Sequence, residues 1–260
     1  MTTRRQLLLG AAGLALAGCS KKPTDPKAGF FEGSLTSASV HGPVGWAVSR
    51  PTAGELPLML VLHGRGGDHT SAFGELHLDD ALKAAVRAGT RPFAIASVDG
   101  GEDSYYHQRA DGTNAFRMIV DDLLPVVAKL GVRTDRFAVG GWSMGGFGAL
   151  LMAEVLGSSR IQAVAIDSPA LYLSAGSTAA GAFDNAEDFR KHDVLTRTSL
   201  LKGIPLRVTC GLADPFVQGT RKLLAEVPTA EHDLRPGGHT PEFWRASAPG
   251  QLAFVGAHLS

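Results

Sequence analysis

Four runs of the chain are apolar almost without interruption, Leu58 to Leu62, Phe93 to Val98, Phe137 to Val139 and Ile161 to Ile166, and a fifth, Pro205 to Cys210, is mostly apolar. Continuous apolarity over strand length, rather than alternation, predicts strands buried on both faces. Between them Leu76 to Ala88, Ala115 to Leu130, Met144 to Leu156 and Val217 to Glu226 carry apolar residues at helical spacing, and a last helix is predicted between Pro241 and Leu259. A short strand is expected near His232 to Leu234. Strands alternating with helices mean parallel crossovers, so the pattern predicts an α/β domain whose mostly parallel sheet is covered on both faces. Ahead of it, Gly33 to Pro51 alternates small, β-branched and polar residues, which predicts an opening antiparallel hairpin. Pro125 is expected to kink the second helix, and Ala170 to Leu200 shows no period.

The first residues follow a different logic. Arg4-Arg5 precedes the apolar stretch Leu7 to Ala17, which is too short to span a hydrocarbon core and has the length of a signal-peptide apolar region. Thr3-Arg4-Arg5-Gln6-Leu7-Leu8 resembles a twin-arginine export signal, and Leu16-Ala17-Gly18-Cys19 resembles the lipobox of bacterial lipoproteins. Residues 1–18 are therefore read as a signal peptide, Cys19 as the lipidated residue, residues 19–29 as a flexible tether and 30–260 as a single catalytic domain. The expected location is the outer face of the cytoplasmic membrane, held by the lipid anchor.

Composition narrows the function. Hydrophobic residues make up 44% of the chain and charged ones 19%, enough for a substantial core. Lys+Arg and Asp+Glu both number 25, and no basic stripe tracks a phosphate backbone, which argues against nucleic acid as a partner. With Cys19 assigned to lipid, Cys210 stands alone and reads as a small buried residue. No phosphate-loop Gly-Lys-Ser/Thr follows the glycine-rich turn at residues 64–67, and neither a cofactor nor a metal is expected.

Candidate chemistry centres on Gly141-Trp142-Ser143-Met144-Gly145, which matches the nucleophile elbow: a buried strand runs into it and a helix leaves it. Serine needs a base and an orienting acid, which follow it in the order acid, then histidine, in folds that carry this elbow. Asp214, in the loop after Pro205 to Cys210, is the first choice for the acid; Asp167, after Ile161 to Ile166, is its rival. Either could instead be a turn or cap residue. Among the downstream histidines, His192 precedes Asp214, His232 falls in a strand and His258 lies near the chain end. His239, in Pro236-Gly237-Gly238-His239-Thr240, sits in a loop from which an imidazole reaches the nucleophile. Donors for an oxyanion are expected from the backbone N–H groups of Met144 and of Arg65, the latter in His63-Gly64-Arg65-Gly66-Gly67 after the first buried strand; His63 itself reads as structural.

These residues resemble the Putative esterase family of α/β-hydrolases, which takes in S-formylglutathione hydrolases, feruloyl and acetylxylan esterases and mycolyltransferases. The likeness is carried by Gly141 to Leu150, by His63 to Gly67, by Val98-Asp99-Gly100-Gly101 with Ser104-Tyr105-Tyr106, and by Gly237-Gly238-His239 with Phe243-Trp244. It implies an α/β-hydrolase fold and a substrate pocket drawing on Asp99, Tyr105, Tyr106 and Trp142, with His107 beside them; only Ala170 to Leu200 is available for a lid insertion, so little or no lid is expected. The loop after His63-Gly64 departs from the S-formylglutathione hydrolase pattern, which counts against a glutathione-linked substrate. The implied activity is ester hydrolysis through an acyl-enzyme, on a small-molecule or cell-envelope ester. Acyl transfer to a cell-envelope sugar uses the same residues, and a catalytically silent cell-wall-binding lipoprotein is the alternative of another class. Oligomeric state is not legible in the sequence.

Overall fold

A computed structural model describes residues 26–260 of the chain. The signal-peptide and lipidation assignments, Cys19 included, fall outside the described residues. Among the described residues the sheet has eight strands: β1 Gly29–Ser37, β2 Gly42–Arg50, β3 Leu56–Leu62, β4 Ala94–Val98, β5 Val132–Trp142, β6 Ile161–Asp167, β7 Leu206–Gly211 and β8 Glu231–Arg235. Their order across the sheet is β1-β2-β4-β3-β5-β6-β7-β8. β1 and β2 form an antiparallel hairpin, β2 pairs antiparallel with β4, and every pair from β4 to β8 is parallel.

The helices are α1 Ser71–Gly74, α2 Leu78–Arg87, α3 Ala115–Met118, α4 Leu124–Lys129, α5 Met144–Arg160, α6 Ala186–His192, α7 Val217–Glu226 and α8 Pro241–His258. Alternate residues of the buried strands feed two cores. Leu58, Leu60 and Leu62 of β3 pack with α5 and the α3–α4 segment, whereas Met59 and Val61 face α2 and α8. That division is why β3 is buried at every position.

The chain moves from β3 outward to β4 and then back across β3 to β5, so the sheet order reverses at β3. Ligand sites in open α/β sheets form beyond the carboxyl ends of the strands at such a reversal. The glycine-rich turn after β3 and the serine turn after β5 both open there.

The predicted elements need three adjustments. The hairpin starts at Gly29 rather than Gly33, and the end of the expected tether is bound to the domain: Gly54 N–H donates to the Pro26 carbonyl over 2.9 Å and Arg50 Nη1 to the Lys27 carbonyl over 2.8 Å. Pro125 does not split its helix. The turn ahead of it, Ile119–Leu123, widens to π geometry, so that Leu124 N–H reaches the Ile119 carbonyl. The wider turn accommodates a ring that would otherwise strike the preceding turn and that has no N–H to give. Finally, the aperiodic stretch from Ala170 to Leu200 contains α6, whose first turn is capped by the Asn185 side chain accepting from the Glu187 and Asp188 N–H groups.

Candidate active site

Ser143 lies between the end of β5 and the start of α5 with φ 54° and ψ −119°. A non-glycine residue held there stores strain of about 1–3 kcal/mol, so the surroundings must fix it. They do so through the backbone. Ser143 N–H donates to the Asp167 carbonyl over 3.0 Å, and its own carbonyl accepts from Phe147 N–H at 3.1 Å and Ala170 N–H at 2.9 Å. The glycines on either side are steric requirements: a methyl group on Gly141 or Gly145 would overlap the Leu62 carbonyl oxygen. The first turn of α5 therefore seats directly on the end of β3.

His239 comes from the loop between β8 and α8. Its Nε2 is 2.9 Å from Ser143 Oγ and its Nδ1 is 2.8 Å from Asp214 Oδ2. With the proton assigned to Nδ1, the ring donates to the carboxylate and accepts from the serine hydroxyl. The imidazole is flanked edge-to-face by Phe216 at 5.2 Å and Trp244 at 4.9 Å, which limits its rotation. The loop behind it is tied to β7's end by Ala213 N–H donating to the Gly237 carbonyl over 2.9 Å.

Asp214 is buried, and its two oxygens divide the work. Oδ2 meets His239, and Oδ1 accepts from Phe216 N–H at 2.8 Å at the entrance to α7. Burial alone would raise this carboxyl, but the hydrogen bond from His239 and the backbone donor at Phe216 outweigh it and hold it below the usual carboxylate range. Asp167, the rival acid, faces elsewhere. Its Oδ1 accepts from Ser247 Oγ at 2.6 Å and Gln251 Nε2 at 3.0 Å, both on α8. Desolvation under that helix pushes it up to about 6, with the two hydrogen bonds acting in the opposite direction.

The turn after β3 passes against the serine. A methyl group at Gly64 would strike the Trp142 indole and come within 3.5 Å of Ser143 Cβ. His63 braces this turn: Nδ1 donates to the Gly64 carbonyl over 2.8 Å, and Nε2 accepts from Gly100 N–H at 2.8 Å. Burial lowers its pKa, which agrees with a neutral ring fixed in a structural role. Among the described residues, the backbone N–H groups of Arg65 and Met144 donate to no other protein group. Met144 is also the first residue of α5, where the helix dipole favours negative charge.

Ser143 and His239 open into a cavity of about 480 Å³ walled by Tyr105, Trp142, Tyr172, Phe216 and Trp244, with Arg65 at its edge. The Tyr105 and Tyr172 hydroxyls pair at 2.7 Å. Another cavity, about 500 Å³, lies over Gly101, Arg109 and Asp111 and includes none of Ser143, His239 and Asp214.

Two expected pocket residues lie outside the wall. Asp99 instead ties the turn to the hairpin: Oδ2 accepts from Gly45 N–H at 2.9 Å, and Oδ1 faces both the N–H and Nδ1 of His69 at 2.7 Å. Tyr106 is fully buried, its ring against Gly100 and Gly148 and its hydroxyl donating to the His63 carbonyl over 3.2 Å; it supports the turn from below. Tyr172 and Phe216 were not anticipated. Tyr172 lies in an aperiodic stretch and carries no local signal, while Phe216 stands two residues after the acid, in a loop already expected at the site. Cys210 is buried, and burial pushes its thiol up to about 11, as an inert packing residue requires.

The sequence profile of the family described as Putative esterase matches residues 33–254. No curated protein sequence matches the chain significantly. Among solved structures, a ferulic acid esterase superposes with a TM-score of 0.79 at 19% identity, over 89% of this chain and 98% of that one. FphF, a fluorophosphonate-binding serine hydrolase of Staphylococcus aureus, gives 0.74 at 16% identity over 88% and 99%. An S-formylglutathione hydrolase from Agrobacterium tumefaciens gives 0.74 at 14% identity over 89% and 95%. Identities this low show a shared fold, an α/β-hydrolase-like sheet flanked by helices.

Proposed function

The chain belongs to the Putative esterase family, and from that premise we propose that it is a serine carboxylic-ester hydrolase working through an acyl-enzyme. The observation that carries this reading is the unbroken line from Ser143 Oγ through His239 to Asp214, with steps of 2.9 and 2.8 Å, at the floor of an aromatic cavity. His239 Nε2 takes the hydroxyl proton as Ser143 Oγ adds to the ester carbonyl. The imidazolium so formed is stabilised by Asp214, whose ionised state is favoured at this position. The carbonyl oxygen becomes an oxyanion and receives the N–H groups of Arg65 and Met144. The same proton then passes to the leaving alkoxide, and water repeats the cycle on the acyl-enzyme. The tyrosine and tryptophan rings give the acyl or alcohol part an apolar wall.

A fluorophosphonate probe tests this assignment directly, because it requires an activated serine. The expected result is one phosphonyl adduct per chain, on the peptide that contains Ser143; a native protein that takes up no label sinks the reading. Adding a sugar acceptor to an ester-turnover assay separates hydrolysis from acyl transfer, since both pass through the same acyl-enzyme.

We extend the proposal to location on the strength of Arg4-Arg5 and Leu16 to Cys19. Export with lipidation at Cys19 predicts that the full-length protein partitions with membranes and that Cys19→Ala moves it to the soluble fraction. Equal membrane association of the two removes the anchor.

A further inference from the structure

Behind the aromatic wall, away from the nucleophile, three metal-ligating side chains converge. His107 lies in the loop after β4, and Asp188 and His192 stand one helical turn apart on α6, so they share a face. Their ligand atoms all lie within 4.8 Å of one another. Asp188 Oδ1 is 2.9 Å from His192 Nδ1 and 3.8 Å from His107 Nδ1. The two imidazoles stack with centroids 4.3 Å apart.

The surroundings of His107 point to a cation. It is buried, and both of its ring nitrogens face carbonyl oxygens: Nδ1 is 2.9 Å from that of Gln108 and Nε2 is 3.3 Å from that of Ala182. A neutral imidazole has a single N–H, so one of these contacts sets lone pair against lone pair unless positive charge sits between them. His192 Nδ1 lies 3.0 Å from the Asp188 carbonyl and 2.9 Å from Asp188 Oδ1, which places the second imidazole against the same carboxylate.

We propose that His107, Asp188 and His192 form a binding site for one divalent transition-metal ion of the zinc class. Two imidazole nitrogens and a carboxylate oxygen suit borderline-soft cations. In this arrangement His107 Nε2–H donates to the Ala182 carbonyl, the outer hydrogen bond that orients a ligating imidazole, and Nδ1 keeps its lone pair for the ion. A proton is the competing cation.

The ion would act as a clamp. Phe183 stacks on His107 at 5.2 Å and packs against Tyr105 at 5.4 Å, so fastening α6 to the His107 loop steadies the cavity wall without touching Ser143. His192, set aside as a base because it precedes Asp214, acquires a role that chain order could not indicate. Its partner His107 is distant in sequence, and no short ligand motif joins the two.

The test is calorimetric titration of the chelator-treated protein with Zn²⁺, with Co²⁺ absorption and thermal unfolding alongside. One equivalent should bind saturably, Co²⁺ should show the visible bands of a four-coordinate site, and Zn²⁺ at about a hundredfold excess over Kd should raise Tm by about 5–10 °C. His192→Ala should lose all three responses and keep ester turnover within a few-fold. Should that variant fail to fold, Asp188→Asn is read the same way. Absence of saturable binding, or unchanged binding in a folded variant, overturns the site.

Discussion

Ser143→Ala is expected to lower ester turnover on the order of 10⁴-fold or more while the protein stays folded. The size follows from mechanism: without Oγ there is no acyl-enzyme, and only binding and the two backbone donors remain to assist water. Stability should change little. Alanine has the same backbone preferences as serine at φ 54°, so the strain of the turn is carried over. The side chain gives up one hydrogen bond to a partly exposed imidazole, a net change of about 1 kcal/mol. Turnover of a nitrophenyl ester and a thermal melt on the same preparation check both halves. A folded Ser143→Ala protein with native turnover would remove Ser143 from the chemistry, and the fluorophosphonate adduct should vanish from this variant.

Ser143 and His239 were legible because their signals are local. Strand, glycine, serine, glycine and helix occur in one stretch, and the glycines are demanded by the backbone of β3 passing beside them. His239 stood out as a loop histidine between the last strand and the last helix. The parallel sheet was legible for a similar reason, since strands with helices on both faces must be apolar throughout.

What resisted reading depends on direction in space. Tyr105 and Tyr106 are adjacent, both with positive φ, yet one faces the cavity and the other the floor beneath the turn. Asp99 follows a buried strand as a site residue does, but its carboxylate turns back to the hairpin. The segment containing α6 did carry one usable signal, Asn185 ahead of Ala-Glu-Asp, which is a helix start with acids in the first turn. The widened turn before Pro125 had none beyond the proline itself.

The sequence ranks Asp214 ahead of Asp167 but leaves the rival standing because each follows a buried strand, and substitution should separate them by different effects. Asp214→Asn removes the charge that stabilises the His239 imidazolium and offers Nδ1 an amide able to present the wrong group. Turnover should fall about 10²- to 10⁴-fold. Asp167→Asn should leave turnover within a few-fold, since Asp167 meets α8 and not the imidazole. Its effect belongs to stability. Desolvation raises the folded-state value to about 6 from an ordinary 3.8, so the folded protein binds this proton more tightly than the unfolded chain does. Wherever the folded state holds the extra proton, stability falls as pH rises, here between about 4 and 6, and the full penalty applies above that window. An asparagine has no charge to desolvate, and its carbonyl still accepts from Ser247 and Gln251. The variant should therefore be more stable than wild type at pH 8, by up to about 3 kcal/mol on the scale of 1.36 kcal/mol per unit, and nearly equal to it at pH 4. Urea unfolding at those two pH values, set beside turnover of both variants, decides the matter. An inactive Asp167→Asn with an active Asp214→Asn would move the acid to β6.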